Sequence, residues 1–163
     1  MSEWSAPDGI EPVLAARLWA LRGDDLTLRS LVKPLIWLPG LPMQARCTAP
    51  QAVRGDDHVP PVEDCYCGFW GLSSPGSLED VTWRSLEGWK VSGVSELWGR
   101  VVVGTRGWRA EVARPAALVV SGRRRRAPQK VLDAVSARYG IPVLDRWPKL
   151  TPLPWWAAER ITA

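Results

Sequence analysis

The densest extended-chain pattern lies between residues 90 and 120. β-Branched and apolar side chains crowd residues 90–103, and the Gly-Thr-Arg-Gly stretch at 104–107 reads as a turn. Residues 108–113 then alternate, and Arg114 with Pro115 is expected to end the strand. The pattern predicts a hairpin centred on 97–113, with Val103 facing Trp108, Val102 facing Arg109, Val101 facing Ala110 and Arg100 facing Glu111. Alternation assigns Val101, Val103, Trp108 and Ala110 to the core. Arg100, Val102, Arg109 and Glu111 fall on the opposite face, with an ion pair of Arg100 with Glu111 and Arg109 beside it. Residues 117–120 read as a further strand.

Elsewhere the periodicity is weaker. Residues 11–21 are rich in helix formers and admit a helix as well as a strand; strand, turn and strand around Arg22-Gly-Asp-Asp25 is the favoured reading of 11–33, and the apolar run 35–38 stops at Pro39-Gly40. Residues 69–72 return the chain to the core. Ser77 is a plausible N-cap for a short helix over 78–86, with Glu79 and Asp80 in its first turn. The helical pattern is clearest over 128–139, where Val131, Leu132, Val135 and Tyr139 share a face. Pro128 suits its start, while Gly140 and Pro142 end it. In the tail, 141–163, Pro142, Pro148, Pro152 and Pro154 forbid a long helix, and Trp147, Trp155 and Trp156 suggest packing along the domain. The expectation is a single α+β domain: a small twisted antiparallel sheet with one or two helices.

Residues 47–67 resist any such reading, because they have almost no apolar periodicity. They hold all 3 cysteines, Cys47, Cys65 and Cys67, and the 1 histidine, His58. Three thiolates and an imidazole are the donors that tetrahedral Zn²⁺ prefers, and a metal would supply the cohesion that the segment 47–68 lacks. Buried thiols, a strained bridge between Cys65 and Cys67, or a redox cysteine are the competing readings. The Cys-x-Cys spacing is tighter than the Cys-x₂₋₄-Cys of most zinc modules. Four protein ligands leave no position for water, so the centre reads as structural.

Composition adds charge and aromatics. Lysine occurs only at 33, 90, 130 and 149, so the 21 basic residues are overwhelmingly arginine, and the net charge is +4. Arg123, Arg124, Arg125 and Arg126 are consecutive, and with Lys130 they form the candidate nucleic-acid contact. A solvated linker is the competing reading of that run. The 11 tryptophans against 1 Phe and 2 Tyr leave room for an exposed aromatic patch. An odd cysteine number, no 18-residue apolar run and no signal-like N-terminus point to a reducing cytoplasm and no membrane span.

Several separated motifs are similar to those of a known group. These are Cys47, His58 and Cys65-Tyr66-Cys67-Gly68; Leu97-Trp98-Gly99-Arg100-Val101-Val102; Gly107-Trp108-Arg109-Ala110-Glu111; and Ala137-Arg138-Tyr139-Gly140-Ile141-Pro142. Together, over roughly residues 35–142, they resemble a group of small proteins of actinobacteria and their phages. The resemblance implies that metal segment and hairpin form one unit, and it carries no activity.

Three function classes follow. A zinc-stabilised module contacting nucleic acid, or a complex bound to it, is favoured by the basic run. A protein-binding adaptor or regulatory factor of phage or host would use tryptophan and arginine as its contact residues. An enzyme is disfavoured, because the sequence has no Gly-rich phosphate loop and no nucleophile elbow, and its histidine is committed to metal.

Overall fold

The computed structural model describes residues 11–21, 25–33, 35–48, 58–78, 88–120 and 127–158. Its strands are β1 (Val13–Leu21), β2 (Leu28–Arg29), β3 (Met43–Gln44), β4 (Phe69–Leu72), β5 (Trp89–Val103), β6 (Gly107–Val119) and β7 (Val143–Leu144). A 3₁₀ turn spans Pro75–Leu78, and two helices follow, α1 (Gln129–Tyr139) and the short α2 (Trp155–Ala158). The class is α+β, as the residue pattern implies. The sheet is mixed and not purely antiparallel, because β7 runs parallel to β6.

Two long strands organise the rest. β5 pairs along its first nine residues with β1 and, almost throughout, with β6. β6 also pairs with β4, and β4 reaches β1 through Ala16 and Leu72. The pairings β1-β5-β6-β4-β1 therefore close on themselves into a small barrel-like ring, which leaves these strands without a long open edge. Closure requires backbones to approach closely. A Cβ on Gly71 would meet the Ala15 Cβ at 2.5 Å, so only glycine fits between β4 and β1.

The hairpin register agrees with the pattern near the tip and departs from it beyond. Val101, Val102 and Val103 face Ala110, Arg109 and Trp108. The pairing then slips, because Trp98 faces Val112, leaving Gly99 and Arg100 together opposite Glu111. Gly99 has φ +77°, so this is a glycine bulge. It displaces the expected ion pair: Glu111 Oε2 accepts the backbone N–H of Arg100 at 3.1 Å, while the Arg100 guanidinium turns to Val59 O at 3.0 Å. Pro115 does not end the strand either. A second slip places it opposite Ser95 and leaves Ala116 unpaired, so a residue without an N–H is accommodated inside β6.

The ring encloses Ala15, Trp19, Leu21, Leu97, Trp108, Ala110, Ala113 and Leu118, all buried, and Trp37 and Phe69 join the same cluster. Helix α1 closes one side with Leu132, Val135 and Tyr139. Its C-cap, Gly140, is left-handed at φ 64°, ψ 32°, as expected from its place before Ile141-Pro142. Between Leu144 and α2 the described part of the tail has no regular structure and packs along the sheet. Thr151 N donates to Leu14 O at 3.0 Å, and Trp147 and Leu150 lie against Val94, Ala117 and Val119. The helix expected over 78–86 falls mostly on residues outside those described. No helix among the described residues is long and apolar enough to cross a membrane.

Candidate metal centre

Cys47, His58, Cys65 and Cys67 converge, with one donor atom from each lying within 4.8 Å of the other three. Cys47 Sγ is 3.7 Å from Cys65 Sγ, and His58 Nε2 is 3.2 Å from Cys67 Sγ. Around a tetrahedral zinc with ordinary bond lengths, sulfurs stand about 3.8 Å apart and sulfur and nitrogen about 3.5 Å. Two of the six donor–donor edges are therefore close to those of a coordination tetrahedron, and the other four are no longer than 4.8 Å. Cys65 and Cys67 are buried, whereas Cys47 and His58 are half-buried and border a shallow hollow of about 370 Å³. Burial pushes the Cys67 thiol above its usual range, and the neighbouring Cys65 and Cys47 add to the shift. A divalent cation among the sulfurs would reverse that trend, since thiolates gathered this closely need one to ionise together.

Three chain segments deliver these ligands, and each is fastened to the hairpin. Cys47 follows β3, which pairs with β6 through Met43 and Ala113, and Ala45 N donates to Glu111 O at 2.7 Å. Val59, next to His58, accepts the Arg100 guanidinium. The turn at 63–67 is held from beneath by Arg109. This guanidinium donates to the carbonyls of Cys65 and Cys67, the latter at 3.2 Å, and to Glu63 O at 3.3 Å. Arg109 is only 8% exposed, so the face of β6 opposite the core is roofed by the ligand loop at this point.

Gly68 turns the chain from the last ligand into β4. Its φ is +103°, and a Cβ there would stand 2.9 Å from the Pro61 side chain. Glycine is thus required after Cys67 both by backbone conformation and by space. The two residues between and beyond the ligands point outward. Tyr66 is 87% exposed, and its ring stacks on Trp70 at 6.5 Å and 16°. The Trp70 indole N–H donates to Tyr66 O at 3.2 Å, and its ring lies 5.4 Å from the Arg109 guanidinium carbon.

The structure thus brings together the four expected ligands, and it places Arg100, Arg109 and Glu111 around them. Two arginines clasp loop carbonyls where the pattern suggested a carboxylate partner. Arg123, Arg124, Arg125 and Arg126 lie outside the described residues, and Lys130 is exposed in the first turn of α1. The clasp was hard to foresee, because the carbonyls that Arg109 meets lie 42 to 46 residues away along the chain. Its one sequence signal is an arginine at a strand position directly opposite a valine, with no acid across the ladder. No family model, curated protein or solved structure matches this chain.

Proposed function

We propose that the chain is a zinc-stabilised binding module whose metal is structural, acting in a reducing cytoplasm. The convergence of Cys47, His58, Cys65 and Cys67 carries this reading. Soft thiolates with an imidazole favour zinc over calcium, magnesium or manganese, and a complete protein ligand set leaves no site for a reacting water. When bound, zinc would hold three segments of irregular chain together.

Nucleic acid, or a complex bound to it, is the proposed partner. The four consecutive arginines 123–126 and the net charge of +4 support this class, with Lys130 exposed nearby in sequence. Fluorescence anisotropy with labelled single- and double-stranded oligonucleotides tests it. Affinity should fall with salt, with a log–log slope of roughly 0.7 to 0.9 per phosphate neutralised. Changing all four arginines to glutamine should abolish binding without altering the fold.

A second reading rests on the aromatics at the metal loop. Tyr66 and Trp70 are exposed, and Glu63 and Asp64 just before them are exposed acids, which disfavour a phosphate backbone there. A protein-binding adaptor would use that surface. The absence of salt-dependent oligonucleotide binding moves the account to this class.

A further inference from the structure

We infer that Arg109 is the positioning residue of the metal centre, holding the Cys65 and Cys67 thiols in place by fixing their carbonyls. The inference rests on the zinc reading above and adds a role for a residue that is not itself a ligand. Its guanidinium addresses Cys65 O, Cys67 O and Glu63 O from one side of the turn. A planar fork of donors matches three converging carbonyls in a way that a lysine ammonium does not. From within, the turn is tied at Val62, whose carbonyl accepts Cys65 N at 3.3 Å and whose backbone N–H bonds the Cys67 sulfur; neither contact fixes the carbonyls of Cys65 and Cys67.

Charge points the same way. Arg109 is buried, and among the described residues no carboxylate pairs with it. A buried cation normally demands a compensating negative charge. Three thiolates and a neutral imidazole around a divalent ion leave a single negative charge on the centre. Arg109, on the backbone of two of the ligands, is placed to balance it. Metal and guanidinium thereby each stabilise the other. The same guanidinium lies against the Trp70 ring, so the contact between ligand loop and β4 is part of one assembly.

The test is a zinc titration of the full chain against a competing chelator, with Co²⁺ substitution to read the ligand field. Wild type is measured first; failure to bind either ion removes the zinc reading itself and the inference with it. If wild type binds, Arg109→Met should weaken affinity roughly 10- to 100-fold and change the Co²⁺ absorption bands. Arg109→Lys restores charge without the fork and should fall between the two. Arg114→Gln, on the same strand as Arg109, breaks the 2.5 Å cross-strand ion pair with Glu96 of β5; it serves as the stability control and should leave affinity unchanged. A merely structural arginine would lower the melting temperatures of the metal-free and loaded forms alike, without moving affinity or spectrum. Wild-type affinity and spectrum in Arg109→Met would overturn the inference. Should that variant not fold, Arg109→Lys decides: affinity equal to wild type would refute the need for the fork, and a loss beyond that of Arg114→Gln would support it.

Discussion

Single side chains bridge parts of this fold that are remote in sequence, and Tyr139 is the clearest case. Its hydroxyl donates to Trp37 O at 2.6 Å and accepts from Leu28 N at 2.8 Å, joining α1 to the segment around β2. Tyr139→Phe keeps the ring and strands a buried N–H, so chemical denaturation should show a loss of about 1–3 kcal/mol. An unchanged midpoint would mean that water replaces both bonds. Burial, the largest influence on the phenol, raises its pKa above 10.0. Because the folded value exceeds the unfolded one, this contribution is complete below about pH 10 and is lost as pH climbs through the raised pKa. Tyr139→Phe should therefore flatten the alkaline limb of the stability profile. The periodicity of residues 128–139 revealed the ring's place on the apolar face. It did not reveal the hydroxyl's partners, which lie 102 and 111 residues away.

Among the elements, the hairpin of β5 and β6 carries the most structure and shows where pattern reading stops. Alternation located its tip, because Gly104 and Gly107 bracket a turn closed by Gly104 N donating to Gly107 O at 2.8 Å. It missed both bulges. A glycine such as Gly99 within a strand pattern marks either a bulge or a close approach, and only the opposing strand decides which. Gly93 is the other outcome: a Cβ there would lie 2.1 Å from Ala117 O and 2.9 Å from the Trp19 ring. The carbonyl is backbone and has little room to yield, so Gly93→Ala should cost about 3 kcal/mol, the upper end for an overpacked site. Thermal unfolding measures it, and a neutral result would show that β5 and β6 separate easily at this point. The ligands were legible for a different reason, since cysteine and histidine are scarce here and cluster in one stretch. The arginine clasp was not, because it depends on a loop folding back over a strand.

In the molecule as a whole, the closed strand ring and the ligand loop meet on one face of β6, and this divides the work of stability. Trp19, Trp37, Leu97 and Leu118 fill the ring without help from a metal. Residues 58–68, by contrast, are largely irregular and place few side chains in that core; Arg100 and Arg109 fasten them to the hairpin, and in the proposed zinc-bound state the metal would supply the rest of their order. Chelation should accordingly loosen this loop and expose Trp70 further while the ring persists. Tryptophan fluorescence would then shift before the far-ultraviolet signal of the sheet does. The central claim is the four-ligand centre itself, and zinc K-edge X-ray absorption on the purified chain, with metal content determined on the same sample, addresses it most directly. The account predicts one zinc per chain, bound by three sulfurs at about 2.3 Å and one nitrogen at about 2.0 Å. A fully folded protein that purifies without metal and presents three freely titrating thiols would contradict it.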